Sequence, residues 1–499
     1  MLSGIDYFVV VAYLIGIMLL GLYFRKFVHS SQDFFLAGKS LPFWAIGMSI
    51  VVSDIGAMDF VGVSGQAYRY GIAVGNFDWL GSVPAMLLGA FIFIPYFWKA
   101  GVYTIPEYLG RRYNDYVRTT ASVTWIAFFA FDLGVMFWAT AVLLNTLLGW
   151  PIWLSIILTA LVVGLYTFFG GLAAVVMTDV VQMIIMFVGG ATVVFLGLHH
   201  VGGWGALVEK VTAMGPGYEN HFNLILPADT KTPFPWTGIL FGLTFVMANA
   251  YMIGNQKIVQ RCLAAKNEWH AKASMVFGAF LKMFIPVLVL IPGLIAIVVH
   301  SDLEDGDQAM PMLIRLLLPP GLRGLLLAAF LAGLMSSIDS MLNSTATLWT
   351  KDIYEKFIKK DASDRHYLLV GRLATVALLL LGVITSPVSR YFEGIYVAVQ
   401  TFLSLFQGPV FSILLLGMFW RRTTQWGGLA GLVGGIAIAT SLHVFKGSIF
   451  TIEDPFLYVS WWSFVAGILI TVVVSMVTQP HPTERLQGLV YGLPQPEGA

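Results

Sequence analysis

Thirteen stretches of this chain are apolar and about as long as a bilayer-crossing helix: roughly 5–26, 42–69, 74–99, 117–148, 151–169, 174–199, 235–256, 271–299, 320–353, 366–386, 390–420, 425–446 and 456–478. About 20 apolar residues in a helix cover the ~30 Å hydrocarbon core. In lipid every backbone N–H and C=O must find a partner within the protein, so runs of this length predict helices. Charged residues make up 11% of the 499, against about a quarter in a soluble domain. The expectation is an all-α polytopic membrane protein, a single transmembrane domain over 1–499 with no separate soluble part. A net charge of +1 suggests no nucleic-acid partner. The first run has no basic segment before it and no small-residue cleavage pattern, so it reads as a span rather than a signal peptide.

Loop charge predicts the orientation. Taking the loops alternately, one set carries 19 Lys and Arg and the other 7. The richer set includes "GRRYNDYVR" at 110–118, "KIVQRCLAAK" at 257–266 and "KDIYEKFIKK" at 351–360. By the positive-inside rule that side is cytoplasmic. The protein is expected in the cytoplasmic membrane, N-terminus outside and C-terminus inside. Cys262 reads as an incidental loop cysteine, and the Pro-rich tail at 479–499 as short and loosely ordered.

Two of the runs are interrupted. "VVSDIGAMDF" at 51–60 puts Asp54 and Asp59 five residues apart with Gly56 between them. A lone carboxylate at the bilayer centre costs at least ~2.5 kcal/mol. Gly permits unwinding, and Asp competes with the helix for backbone donors. "FVMANAYMIGN" at 245–255 is similarly broken, by Asn249, Tyr251, Gly254 and Asn255. One such break reads as a packed kink. Two at matching positions of two five-helix halves point to a secondary transporter.

A third polar cluster lies in "AGLMSSIDSMLNSTAT" at 332–347. Ser336, Asp339 and Ser340 share one helix face, and Ser337 adjoins them. Hard oxygens of this kind suit a hard cation. Asp179 in "VVMTDVVQM" adds a carboxylate. A polar helix–helix interface would explain the serines, though not Asp339. Other chemistry is not supported. "AGKS" at 37–40 lacks the earlier Gly of a phosphate loop, since Asp33 stands there. No filter repeat of a channel and no nucleophile–base pair of an enzyme appears. A transporter-like sensor or a channel therefore ranks below a transporter.

Several long strings resemble the sodium/solute symporter family, and most of all its sodium/sugar (glucose/galactose) branch: "FFLAGKSLPFWAIGMSI" at 34–50, "VYTIPEYLGRRY" at 102–113, "YTFFGGLAAVVMTDVVQ" at 166–182, "NQKIVQRCLAAK" at 255–266 and "SSIDSMLNSTATLWTKDIY" at 336–354. The resemblance covers residues 5 to 478. It implies the leucine-transporter-type fold: an extra helix at 5–26, inverted repeats at 42–199 and 235–420, and two extra helices at 425–478. It implies a sodium site made by the backbone oxygens of Val52, Ile55 and Gly333 with the hydroxyls of Ser336 and Ser337. It also implies a second sodium site at Asp179, Ser336, Asp339 and Ser340.

In the sugar branch the solute-binding positions match Asp54, Asp59, Asp78, Tyr251, Lys282 and Gln400, with Phe77 and Tyr251 as gates. Here the chain departs from its models: Asp54 and Asp59 replace an Asn and a neutral residue, Asp78 replaces a Glu, and Ala248 stands where a sugar-binding Asn is matched. Carboxylates bind vicinal hydroxyls, and they also pair with ammonium groups. The implied activity is sodium-coupled import of a small polar solute, a sugar or polyol, with a cationic or amino-containing solute as the alternative. Asp132 adds an acid open to a packing or a sodium role. The partners implied are that solute and the lipid bilayer; the oligomeric state stays open, a monomer included.

Overall fold

The structure, a computed structural model, describes residues 3–56, 59–391, 395–452 and 454–494. Ala57 and Met58 of the first expected break, residues 392–394 at the head of the run expected over 390–420, Glu453, and residues 495–499 of the tail lie outside it. Among the described residues there is no β-strand, only two isolated bridges, Leu41 with Ala265 and Leu226 with Pro235. Among the same residues nine helices are long and apolar enough to cross a membrane, or eleven if each of two bent pairs counts as one span. The expected thirteen is not reached by this measure, because Phe43–Asp54 and Ile152–Leu165 are short apolar helices.

Helix α1, Gly4–Phe24, buries only Asp6, Tyr13, Ile17 and Gly21. Its last three buried residues fall four apart, a narrow stripe that lays the helix on the outside of the bundle. Helix α2, Phe43–Asp54, stops where Ile55 turns extended (φ −98°, ψ 95°). Helix α3, Asp115–Leu148, carries Asp132. Helix α4, Ile152–Val201, is kinked at Gly171, whose φ of 56° suits a residue with no Cβ, and carries Asp179 beyond the kink. Helix α5, Ala248–Gly254, meets helix α6, Gln256–Leu263, at a 50° bend. Helix α7, Glu268–Lys282, ends on Lys282.

Helix α8, Leu322–Thr347, is the axis of the molecule. Every residue from Leu326 to Thr347 is buried, as in a helix enclosed on all sides. Asp6 of α1 caps its start: Oδ1 accepts from the backbone N–H groups of Gly321 and Gly324, both at 2.7 Å. A carboxylate there satisfies otherwise unpaired helix donors. Helix α9, Ile395–Ser404, and helix α10, Gln407–Phe419, form a second bent pair, at 44°. This break divides the run that the sequence presents as continuous over 390–420.

Two expectations about loops are corrected. The segment 257–266 is not a solvated loop: Lys257, Arg261 and Cys262 are buried on α6, drawn in by partners described below. The tail from Gln479 is docked rather than loose as far as it is described. Arg485 and His481 contact the carbonyl oxygen of Tyr113 at 3.1 Å each, the Tyr108 hydroxyl donates to Leu489 O, and the Tyr491 N–H donates to Met418 O. Leu486 and Val490 are buried.

Candidate functional site

The break after α2 follows from a few named contacts. Continuing the helix would require the Gly56 N–H to bond the Val52 carbonyl. That N–H donates instead to Asp59 Oδ2 at 2.9 Å, and the Asp59 N–H returns to Gly56 O at 3.1 Å. The Val52 carbonyl is thereby released from the helix ladder. A π-helical turn, Asp59–Val63, resumes the chain. Wide turns of this kind recur at functional sites.

The released segment packs on α8 with very little space between the backbones. A methyl group on Gly333 would lie 3.1 Å from the Ile55 carbonyl oxygen, and one on Gly56 would lie 3.0 Å from Ser337 Oγ. The Ser337 hydroxyl donates to Ser53 O at 3.0 Å, and Ser336 Oγ lies 3.1 Å from Ser53 Oγ. Of the five residues expected to hold sodium, Ile55, Gly333, Ser336 and Ser337 thus meet across the α2–α8 contact, and Val52 adjoins Ser53 in the chain. The oxygens they offer are hard and uncharged, which fits a monovalent hard cation.

Beside them lies a buried charged cluster. Asp179 Oδ2 accepts from Ser49 Oγ at 2.5 Å and from Ser53 Oγ at 3.0 Å, and pairs with Arg261 Nη2 at 3.3 Å. Arg261 also donates to Ser49 Oγ at 2.6 Å, to Ser53 Oγ at 2.7 Å, to Ser340 Oγ and to the Lys257 carbonyl. Ser340 Oγ reaches Asp339 Oδ1 at 3.2 Å. The four residues expected at a second sodium site therefore converge, and among them stands a guanidinium that reads in the sequence as a loop charge. Asp179 Oδ1 is buried without a hydrogen-bond partner among the described residues. One oxygen of this carboxylate is committed to Arg261 and the serines, and the other is open to an ion.

The solute-binding residues line one cavity. Lys282 Nζ contacts Asp54, Asp78 Oδ1 at 2.5 Å and Ser82 Oγ at 3.3 Å. Asp78 sits in a second π-helical turn, Phe77–Ser82. A buried ammonium between two carboxylates is compensated. Asp59 joins the cavity wall with no ion pair among the described residues, and Gln400 joins from α9. Tyr251 reaches Asp54 from α5. Phe77 packs edge-on against Tyr396, with ring centroids 5.5 Å apart, and against Phe234 at 6.1 Å. Both expected gate residues, Phe77 and Tyr251, border the cavity.

Two further cavity residues present buried polar atoms with no hydrogen-bond partner among the described residues: Asp132 Oδ1 and Gln407 Oε1. Buried polar groups are normally satisfied. Of these, Asp132 alone is conspicuous in the sequence. Gln407 opens α10 just past the bend that the sequence does not signal, and Lys257, also on the wall, reads there as a loop charge.

The sequence profile of the sodium:solute symporter family matches residues 34–435. The chain belongs to the sodium:solute symporter family. Among its relatives, the sodium/glucose cotransporter of Vibrio parahaemolyticus is 36% identical over 88% of this chain and 85% of its own length. Sodium/glucose cotransporter 1 of Oryctolagus cuniculus is 32% identical over 98% of this chain and 81% of its own. The sodium/myo-inositol cotransporter of Canis lupus familiaris is 30% identical over 97% and 75%. The structure of a Na+-coupled sialic acid symporter superposes with a TM-score of 0.85 at 22% identity, covering 96% of this chain and 99% of that one. A nucleobase-cation-symport-1 family transporter superposes at 0.59 over 89% and 92%. This symporter thus has the leucine-transporter-type fold, is a transporter rather than an enzyme, and takes sodium as its coupling ion.

Proposed function

We propose that this symporter imports a neutral sugar or polyol together with sodium, by alternating access, across the cytoplasmic membrane with its N-terminus outside. The observation that carries the reading is that one unwound segment serves both sites. Ser53 bonds the α8 serines and Ile55 packs on Gly333, while Asp54 between them faces the cavity through Lys282. Sodium at Val52, Ile55, Gly333, Ser336 and Ser337 fixes that segment and so shapes the wall that receives the solute. A second sodium binds at Asp179 Oδ1 with Ser336, Asp339 and Ser340. Lys282 donates and Asp54, Asp59, Asp78 and Gln400 accept around a ring of hydroxyls. Phe77 and Tyr251 close the cavity in turn as the repeats at 42–199 and 235–420 rock. The names of the glucose and myo-inositol cotransporter relatives favour this solute class.

A specific observation favours a second reading. Asp59 lines the cavity with no ion pair among the described residues, so a carboxylate stands ready for a cationic solute. The test is uptake into proteoliposomes under an imposed sodium gradient, with hexoses, inositol, amino sugars and quaternary amines as competitors. Sodium-dependent uptake competed by hexoses or inositol supports the first reading. Competition by amines alone replaces it with the second.

A further inference from the structure

Lys257 is an expensive residue to keep where it stands. It is 2% exposed and lies in the first turn of α6, immediately after the 50° bend. Burial opposes its charge, and so does the positive end of a helix. Its backbone is engaged: the N–H donates to Asn255 Oδ1 at 2.9 Å and the carbonyl accepts from Arg261. Its ammonium forms no ion pair within 4.0 Å among the described residues, and the Tyr251 ring lies 5.8 Å away. Asp132 of α3 is 3% exposed, lies within electrostatic reach of Lys257, and leaves Oδ1 without a hydrogen-bond partner among the described residues. Gln407, in the first turn of α10, leaves Oε1 likewise. All three line the solute cavity.

A buried Lys and Asp that served only each other's charge would be expected to close into contact, since an unclosed pair keeps the desolvation penalty and forgoes much of the attraction. Here the two form no ion pair within 4.0 Å, although both border the same cavity, each from a different helix. Such a gap matches a ligand that accepts from an ammonium and donates to a carboxylate. A hydroxyl does both. The pair is also neutral overall, so it adds no net charge to select a cation or an anion.

We infer that Lys257, Asp132 and Gln407 form a second polar subsite of the solute cavity, which binds solute hydroxyl groups other than those held by the Lys282–Asp78 pair and sets specificity there. The inference rests on the reading of a polyhydroxyl solute. Sugar transport requires only that some cavity binds hydroxyls; this assigns a second set of partners to particular hydroxyls.

The test uses the full-length protein in proteoliposomes with labelled D-glucose and myo-inositol, and monodeoxy analogues of whichever is taken up. Lys257→Met and Asp132→Asn should each raise the half-saturating solute concentration about tenfold, while sodium binding without solute stays within about twofold. At least one deoxy analogue that the unmodified protein rejects should cease to be discriminated. The double variant Lys257→Met/Asp132→Asn separates this from a structural pair, because removing both members of a buried pair often restores stability. A subsite stays lost in the double variant. Solute affinity and analogue discrimination unchanged in the single variants, or restored in the double, would overturn the inference. Should either single variant fail to fold, a folded double variant with unchanged solute affinity would overturn it equally. Uptake of glucose and inositol by the unmodified protein with normal discrimination in every variant refutes the subsite and leaves the symport reading standing. Uptake of choline and of neither sugar would refute both the subsite and the reading of a sugar or polyol as the solute.

Discussion

Replacing Ser337 by Ala probes the sodium site at one atom. Ser337 Oγ is buried, donates to Ser53 O at 3.0 Å, and lies 3.0 Å from where a methyl group on Gly56 would stand. The variant loses two things of different size. The Ser53 carbonyl loses a neutral hydrogen bond, about 1 kcal/mol of stability present with or without sodium. In a chain of this length that lowers the melting temperature by only a degree or two, about 1–2 °C. Any bound cation loses a hydroxyl ligand, a charge-assisted contact of about 1.5 kcal/mol, and roughly tenfold in affinity follows. The half-saturating sodium concentration for uptake should therefore rise about tenfold at fixed solute, with maximal uptake at saturating sodium largely retained. Sodium-protected thermal melting separates the two losses, since only the second depends on sodium. A folded Ser337→Ala variant with unchanged sodium dependence would refute the placement of the ion between α2 and α8.

Other variants follow from the same geometry. Gly333→Ala puts a methyl 3.1 Å from the Ile55 carbonyl, so that oxygen must shift; weaker sodium activation without loss of folding is expected in the same uptake assay. Asp179→Asn removes the open Oδ1 charge and also half of the bond to Arg261; the Hill coefficient for sodium should fall toward one, and a charge-to-solute ratio of one in the unmodified protein would eliminate the second ion. His221 lies in the segment joining α4 to α5, its ring 3.3 Å from Tyr68 O and its carbonyl accepting from Ile72 N–H at 2.8 Å. Burial holds its imidazole below the usual histidine range, so the unfolded chain binds the extra proton first. The stability it contributes is intact above about pH 6.5 and is lost as pH falls toward its folded value. The drop in melting temperature from pH 7.5 to 5.5 should shrink in His221→Gln.

What can be read in the sequence is whatever depends on neighbours along the chain. Apolar length marks the helices, and Gly56 between Asp54 and Asp59 marks the first break, because unwinding is a local property. The face shared by Ser336, Asp339 and Ser340 follows from helix periodicity alone. What stays hidden depends on partners far away in the chain. Arg261 and Lys257 look like loop charges until Asp179, Ser49 and Asp132, more than 80 residues distant, draw them inside. The bend before Gln407 carries no charge in "TFLSLFQGPV", and the Pro at 409, which falls in the first turn of the new helix, is the one local sign of a break there. The docking of the tail depends on Tyr108 and Tyr113, some 370 residues earlier.

If sodium and solute share the segment Val52–Gly56, their binding must obey a thermodynamic constraint. Coupling between two ligands must be reciprocal. Equilibrium binding of the transported sugar, measured with and without saturating sodium, should show tighter binding with the ion. Sodium binding, measured with and without saturating sugar, should tighten by the same factor, and Ser337→Ala should reduce both. Sugar affinity that does not change between sodium and an equal concentration of choline would show that the two ligands do not share this segment.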